Sequence, residues 1–457
     1  GPAWACLLIQ HGAICCLQGS YDEARSYVYE ALSILEQAMK DTQPLQPDTF
    51  LTRTEQAVLG DPLEVGRAHE LLGVVAASVG QLPDALKHLY TALEIFEQHG
   101  LVIAMAKVCG NLGAAYAMKA ENMQARVYMR RSLELTERMG DLPNMAFVTG
   151  NLGEMANRSG DLQEAEEWFK RSLSISEQIN DREHMSWCNV ALGAVRQDQG
   201  RFRESAENLL RALAIGRAMK NSRCIGSALV AMADLRISQA IATGAPFLPS
   251  LTTTQEESSE VTLLQDVGAS SATGLSSPLD KCQRLLRRAH STLRRALELE
   301  GLETELTTEG RLLLATASFL LGEIEMAREQ VLQTMQASEE HEITRILARS
   351  QRLLGRIMAI QGEHSQADDC FEQAMQVFRE NEMRLDFART LHSCGLTLLQ
   401  RSQPDTQVYQ QGIAYLQQAR ATFQACSATI DLEWITFQLS MYETQRIEDT
   451  LPTAETV

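Results

Sequence analysis

The chain has 457 residues, of which 22% are charged and only 5% aromatic, and its formal net charge is −18. This excess of acid disfavours general binding to nucleic acid or to an anionic membrane, because both are polyanions. The ten cysteines include no Cys-x-x-Cys pair and mostly fall on apolar helix faces, which is typical of free thiols in a reducing compartment and predicts a cytoplasmic protein. We find no signal peptide and no apolar run long enough to span a bilayer.

The first segment, residues 1–40, predicts a helical hairpin with small residues at Gly12, Gly19 and Ala24. It opens with Gly1-Pro2, which looks like a protease-cleavage scar, and a helix begins at once after it. We therefore expect an excised fragment of a longer protein. Residues 41–60 contain two prolines and predict an inserted surface loop.

A pattern with a period of 40 residues occupies residues 61–242. Its mark is a Leu-Gly pair that recurs four times, followed twelve positions after the glycine by a small residue and nineteen positions after it by a small-Leu pair. The four glycines are Gly73, Gly113, Gly153 and Gly193. A fixed period of this length is the signature of a repeat protein. We predict repeats 2–5 here, followed by the first helix of repeat 6.

Each 40-residue period predicts two helices. In residues 141–180, apolar side chains recur at helical spacing in two stretches. Asp141 is a favourable N-cap, and Pro143 fits the first helical turn. Gly160 should end the first helix and Asp161 should cap the second. One such hairpin cannot bury its apolar face alone, so the hairpins must stack.

The remainder of the chain interrupts and then resumes this pattern. Residues 243–279 are rich in Ser, Thr and Gly and contain no Lys or Arg, which predicts a flexible insertion. Residues 280–427 predict the rest of repeat 6 and repeats 7–9, and residues 428–457 a cap helix and a frayed tail. The sequence thus predicts an all-α fold of about nine helix hairpins and a C-terminal cap helix.

The order Leu-Gly, Gly, Ala and small-Leu within a helix pair resembles the tetratricopeptide repeat. The long period is similar to that of the sensor arms of MalT-type STAND bacterial regulators, of kinesin light chains and of Pins-type scaffolds. The resemblance implies a right-handed superhelical solenoid whose first helices line a concave face. It also implies that an Asn directly before the Leu-Gly pair holds a peptide backbone. Asn111 and Asn151 stand at that position and other repeats carry other residues, which favours a local site over a long uniform groove.

Asn111 and Asn151 are therefore the first candidate binding residues. An amide offers a donor and an acceptor to a peptide group, and it is unfavourable in mid-helix. The alternative is hydration or an interhelix hydrogen bond. The residues predicted on the same face mix charge with aromatic surface, which suits a peptide or a polar small ligand; they are Arg67, Glu70, Lys107, Phe147, Glu154, Arg158 and Trp187. For Phe147 and Trp187 the alternative is a shared packing role in the core.

A basic row is the second candidate. Its first four arginines fall at i, i+4, i+7 and i+11, so they share one helix face, and the fifth takes the matching place in the next repeat. The row consists of Arg345, Arg349, Arg352, Arg356 and Arg389. Arginines in such a row can bind a carboxylate or phosphate through two parallel hydrogen bonds. The alternative is pairing with nearby acids such as Glu339, Glu342 and Asp386.

Motifs for catalysis are missing from the sequence. His69-Glu70 and His341-Glu342 lack the second histidine of a zinc-binding H-E-x-x-H helix, and no phosphate-binding glycine loop is present. The nine histidines do not cluster with cysteines at metal-binding spacing. The sequence predicts no enzyme, no cofactor and no metal.

These features predict a protein- or peptide-binding module that receives a protein segment or a small inducer in a concave groove, with no direct contact to nucleic acid or membrane. We expect it to serve as the ligand-sensing or partner-docking arm of a larger signalling or transcription-regulating protein. The alternatives are a stand-alone scaffold and a regulatory partner of a protease or nuclease effector.

Overall fold

A computed structural model of the chain describes residues 2–17, 19–41, 62–119, 121–243, 277–402 and 406–450. The insertions predicted at 41–60 and 243–279 lie almost wholly outside these ranges, as does most of the tail. Within them the chain forms 19 helices and no strand. The chain divides into two compact units, an amino-terminal unit of residues 1–152 and a carboxy-terminal unit of residues 153–457.

The amino-terminal unit is built of helical hairpins. Its helices are α1 (Pro2–Leu17), α2 (Tyr21–Asp41), α3 (Pro62–Ser78), α4 (Leu82–Gln98), α5 (Val102–Met118), α6 (Asn122–Met139) and the larger part of α7 (Leu142–Arg158). Three hairpins form by the packing of α1 on α2, α3 on α4 and α5 on α6, and α3 also contacts α1 and α5. The first helices of these hairpins therefore stand side by side, as the repeat pattern requires.

The carboxy-terminal unit continues the same plan. Its helices are α8 (Leu162–Gln178), α9 (Arg182–Asp198), α10 (Phe202–Met219), α11 (Ser222–Ala242), α12 (Pro278–Leu297), α13 (Thr304–Leu320), α14 (Ile324–Glu340), α15 (Thr344–Ile360), α16 (His364–Glu380), α17 (Arg384–Arg401), α18 (Gln407–Cys426) and α19 (Thr429–Thr450). The first helices α9, α11, α13, α15 and α17 contact one another in order. For the described residues, the predicted all-α fold of nine hairpins and a final helix is confirmed.

The repeated glycines lie where paired helices approach most closely. A methyl group added at Gly153 would come within 2.8 Å of the Phe169 ring in the next helix, and one at Gly193 within 2.7 Å of the Leu209 side chain. A large side chain of each second helix thus fills the space that glycine leaves on the first helix. This close approach explains why the Leu-Gly pair returns in every clean repeat.

Two of the three turn residues assigned from the sequence have the expected role. The Asp141 carboxylate accepts a hydrogen bond from the backbone N–H of Asn144 at 3.3 Å and so caps α7. Gly160 ends α7 with a φ of +79°, a left-handed conformation that favours glycine. Asp161 occupies the N-cap position of α8 as predicted, but its side chain makes no capping hydrogen bond and pairs with Arg384 instead.

Helix α11 departs from another expectation. By length and apolar composition it is able to cross a membrane, although the sequence analysis found no such run. However, 67% of its apolar stretch is buried within the protein. Its residues Leu229, Met232 and Leu235 belong to the largest apolar cluster of the carboxy-terminal unit. The burial is that of a core helix.

The carboxy-terminal unit closes on itself. Helix α19 contacts α9, and one apolar cluster contains both Leu162 from the start of the unit and Ile435 from its end. Two arginines of α17 form ion pairs with the beginning of the unit: Arg384 with Asp161 in the turn before α8, and Arg389 with Asp198 of α9 at 2.6 Å. The first helices of the hairpins consequently surround a common space that is partly open to solvent.

The close-approach argument predicts that Gly113→Ala destabilises the protein, because overpacking costs roughly 1–3 kcal/mol. The added methyl would overlap with Met129 and lie 3.2 Å from the carbonyl oxygen of Ala125. This penalty should exceed the roughly 1 kcal/mol by which Ala is the better helix former. Urea unfolding followed by circular dichroism measures the change.

Gly110→Ala in the same helix is the matched control. Its methyl would meet no atom closer than 3.4 Å, so the substitution should be neutral or stabilising. Equal effects at Gly110 and Gly113 would contradict the packing role of the repeated glycine.

Candidate chamber of the carboxy-terminal unit

A chamber with a volume of about 1430 Å³ occupies the interior of the carboxy-terminal unit. Its wall comes mostly from α9, α11, α13, α15 and α17, and it is completed by the end of α7 and by α19. In each first helix, one stripe of side chains packs on the neighbouring helices, and the opposite stripe faces inward because of the helical period. The chamber is therefore lined by one inward stripe from each repeat.

The chamber wall carries equal numbers of cationic and acidic side chains, apart from His392. There are six of each: Arg158, Arg345, Arg349, Arg352, Arg356 and Arg389, with Glu154, Asp198, Asp234, Glu309, Asp386 and Asp431. The complete basic row expected from the sequence is among them. The inner surface is thus dense in charge but formally neutral.

Three of the four arginines that α15 contributes to the row have acidic partners on other helices. Arg345 and Arg352 both bind Asp386 of α17, at 3.8 and 3.1 Å, and Arg349 binds Glu309 of α13. Burial alone would raise the pKa of the Asp386 carboxyl, but the charges of Arg352, Arg349 and Arg345 hold this pKa well below its ordinary value. The pairing that the sequence offered as the alternative is therefore present at Asp386.

Arg389 binds two acids at once. Its Nη2 atom lies 2.6 Å from Asp198 of α9 and 2.7 Å from Asp431 of α19. These contacts link α17 to α19, with 42 residues between the paired side chains, and to α9, with 191 residues between them. The other two acids suggested as partners, Glu339 and Glu342, form no ion pair with the row in the described part of the chain.

Arg356 differs from the other members of the row. Its guanidinium lies 4.6 Å from the centre of the Phe319 ring, and no acid among the described residues pairs with it. Burial and the neighbouring charge of Arg352 lower the pKa of Arg356 to about 10. In the described part of the chain, Arg356 therefore contacts the aromatic face of Phe319 where the other members of the row contact an acid.

Asp234 is the complementary exception among the acids. It accepts a hydrogen bond from Gln197 at 2.9 Å, and no cation of the described chain lies within ion-pairing distance. Burial raises the pKa of Asp234, and Arg349 opposes this only in part. Sequence reasoning missed this residue, and the one signal available was that Asp234 is the single acid in the apolar helix α11.

Exposed aromatic and apolar side chains form another part of the chamber wall. Trp434 and Phe437 of α19 stack with their ring centres 5.7 Å apart, and Phe437 and Met441 remain more than half exposed. Trp187 of α9 packs edge-on against Phe169, yet 37% of it is exposed in the chamber. The core role suggested as the alternative for Trp187 is therefore only partly correct.

Glu154 and Arg158, which the sequence placed with the asparagines, also line the chamber. They form an i, i+4 ion pair at 2.8 Å near the end of α7. Together with Trp187, they are the members of the first candidate set that belong to the carboxy-terminal unit.

Asn111, Lys107 and Phe147 line a smaller pocket in the amino-terminal unit, of about 290 Å³. Asn111 donates a hydrogen bond to the buried Glu70 at 3.1 Å, and the Lys107 ammonium lies 2.9 Å from the same carboxylate. The interhelix hydrogen bond, which was the alternative reading of Asn111, is thus present. Phe147 is 44% exposed, so the core role suggested for it is wrong.

The remaining members of the first set lie apart from this pocket. Arg67 binds Glu64 at 2.7 Å and is half exposed. Asn151 is half-buried on α7 and belongs to the lining of neither pocket. A role of Asn111 and Asn151 in ligand binding stays a prediction.

A sequence model of the tetratricopeptide repeat matches residues 102–178 and 144–218. This part of the chain therefore consists of tetratricopeptide repeats, and the helical hairpins on either side follow the same plan. A comparison with curated protein sequences finds no match.

Several solved structures are similar to the chain. They include a Rap protein complexed with competence and sporulation factor (11% identity, TM-score 0.46, 84% of this chain and 99% of that one) and the apo form of RapI (11% identity, TM-score 0.48, 69% and 98%). Another is a STAND signal transduction ATPase with a tetratricopeptide repeat sensor from Pyrococcus horikoshii (13% identity, TM-score 0.43), where the alignment covers 80% of this chain and 48% of that one.

Arg389→Gln should lower the free energy of unfolding by roughly 3 kcal/mol, because it leaves the largely buried acids Asp198 and Asp431, each 20% exposed, without their cation. We use the lower end of the range for buried ion pairs because 31% of the Arg389 side chain is exposed. Arg356→Gln is the matched control, since it removes an arginine that has no acidic partner. Its loss should not exceed the roughly 2 kcal/mol of a desolvated cation–π contact. Denaturant unfolding compares the two, and an equal loss would contradict the assigned pairing.

Acidification should destabilise the protein through His392. Burial lowers the pKa of His392, although its hydrogen bond to Gln438 opposes this shift. The unfolded imidazole binds a proton below about pH 6.5 and the folded one only at lower pH. Stability is therefore lost as the pH falls from about 6.5 and levels off below the folded pKa. The charged groups that act on His392 are Asp431, which opposes the lowering of its pKa, and Arg356, which adds to it.

We expect His392→Gln to lose less stability than the wild type between pH 7 and pH 5, measured as the difference in unfolding free energy. Parallel pH profiles for the two proteins would contradict the assignment to His392.

Proposed function

We propose that the chain is a protein- or peptide-binding module whose ligand, a peptide segment, enters the chamber of the carboxy-terminal unit. The observation that carries this proposal is a chamber of about 1430 Å³ that combines a charged wall with exposed aromatic side chains. Small-molecule pockets usually measure about 300–1,000 Å³. The larger chamber favours a peptide segment over a small inducer.

The composition of the wall supports the same ligand class. Trp434, Phe437 and Met441 offer apolar surface on one helix, while α15 and α17 present arginines and acids. Apolar surface supplies binding free energy and a few placed polar groups fix orientation. A peptide has both apolar side chains and polar groups, so it matches both parts of the wall.

The closed form of the unit suggests a sensing role. Helices α19 and α17 pack back onto α9, and all three line the chamber. A ligand in the chamber would therefore contact the first and the last helices of the closed unit together. Such a ligand would favour the closed form over an open one, and an attached domain would receive that change. This supports a ligand-sensing arm of a larger signalling or transcription-regulating protein over a stand-alone scaffold, which would need an exposed docking face.

The small pocket beside Asn111 is the weaker site. Its volume of about 290 Å³ lies at the lower limit for ligand pockets. The Asn111 amide and the Lys107 ammonium are also both engaged by Glu70. We therefore place the ligand in the chamber.

A bulky substitution inside the chamber tests the proposal without removing a charge. Ala194 of α9 lines the chamber, so Ala194→Phe should fill part of it. Ala214→Phe adds the same ring on the exposed face of α10 and is the matched control. Each immobilised protein is incubated with lysate of its source, and retained proteins and peptides are identified by mass spectrometry. We expect a species that the wild type and Ala214→Phe retain and Ala194→Phe loses at least about tenfold, as removal of a well-packed contact does.

Equal retention by all three proteins would contradict a site in the chamber. Loss of the species with Asn111→Ala/Asn151→Ala, but not with Ala194→Phe, would move the site to the amino-terminal unit. If the wild type retains no protein or peptide, the proposed ligand class is wrong.

A further inference from the structure

Ion pairing within the chamber leaves one acid and one arginine unmatched. Ten of the twelve charged side chains have an opposite charge within 4.0 Å. Asp234 of α11 and Arg356 of α15 have none among the residues that the structure describes. The surplus is thus one negative and one positive charge, at two separate places on the wall.

The neighbours of Asp234 and Arg356 do not supply the opposite charge that each of these groups lacks. The neutral amide of Gln197 donates one hydrogen bond to Asp234 and another to the hydroxyl of Ser238, each at 2.9 Å from the same nitrogen. Arg356 stacks on Phe319 and stands beside the charge of Arg352 on its own helix. Burying a charge without a counter-charge is costly, and such costs persist mainly at functional sites.

We propose, on the basis of the proposed function, that the peptide in the chamber carries one cationic and one anionic group, which bind Asp234 and Arg356 respectively. The cation is an ammonium or guanidinium group and the anion is a carboxylate. These groups are either the free termini of a short peptide or charged side chains within a longer segment. Nucleotides and sugar phosphates fit less well, since they offer anions but no matching cation.

The two groups lie on different helices of the wall. Asp234 is on α11 and Arg356 is on α15. The α15 charge that acts on Asp234 is that of Arg349, seven residues before Arg356, and seven residues of α-helix span roughly 10 Å. An extended peptide covers about 3.3–3.6 Å per residue, so we expect a ligand of about three residues or more.

The test uses three random heptapeptide libraries: one with free termini, one N-acetylated and one C-amidated. The full-length wild type, Asp234→Asn and Arg356→Gln are each equilibrated with the libraries, and retained peptides are quantified by mass spectrometry. Arg203→Gln, which changes an exposed arginine of α10, is the control. Arg356→Lys keeps the charge and should retain peptides as the wild type does.

If the termini are the binding groups, acetylation should reduce retention by the wild type roughly 10- to 100-fold, which corresponds to the loss of one hydrogen bond to a charged group. Acetylation should not change retention by Asp234→Asn, because this variant lacks the acid that binds the amino terminus. Amidation should act in the same way on the wild type and have no effect on Arg356→Gln. If side chains are the binding groups, capping should change nothing. The retained sequences should then be rich in both basic and acidic residues, with the basic enrichment lost in Asp234→Asn and the acidic enrichment lost in Arg356→Gln.

Retention that depends on neither residue would overturn the proposal, as would a wild type that retains no peptide from any library. If partner capture still depends on Ala194 in that case, the chamber remains the binding site for a ligand of different chemistry. If capture is also insensitive to Ala194→Phe, the proposed function fails as well. Cooperative unfolding of each variant, with a midpoint above the temperature of the binding assay, excludes misfolding as the cause of lost binding.

Discussion

The double ion pair of Arg389 is the interaction on which the architecture of the carboxy-terminal unit depends. A stack of helical hairpins has no intrinsic reason to close, because each hairpin needs only its neighbours. Arg389 on α17 binds Asp198 on α9 and Asp431 on α19, and thereby joins helices separated by 191 residues of sequence. Closure converts an open groove into a chamber and brings the cap helix, with its exposed Trp434 and Phe437, opposite the inner helices.

The same closure determines the electrostatics of the chamber. Charges that would be solvated on an open groove are brought out of water together, so that pairing becomes energetically important. Most acids and arginines of the wall meet this requirement with one another. Asp234 and Arg356 do not, and their isolation is informative only because the rest of the wall is matched. A zwitterionic ligand would complete the pairing, which is why ligand chemistry can be inferred from a chamber with no net charge.

Local regularities made most of the fold predictable from the sequence. The 40-residue period, the repeated Leu-Gly pair and Gly160 at the end of α7 report contacts between neighbours in the chain, and these reappear in the structure. The arginine row was also visible, because helical spacing alone placed it on one face. Long-range contacts were not predictable. Asp161 has the sequence features of a helix cap, yet it pairs with Arg384, 223 residues away. Asp234 belongs to no motif, and it becomes noticeable only when the pairing of all its neighbours is known.

The coupling energy between Arg389 and Asp198 tests the closed chamber most directly. It is obtained from the unfolding free energies of the wild type, Arg389→Gln, Asp198→Asn and the double variant. A closed unit predicts a coupling of at least about 1.5 kcal/mol, as for close charge pairs in other proteins. Additive effects within about 0.5 kcal/mol, as found for distant independent sites, would show that α17 and α9 do not meet in solution and would contradict the chamber.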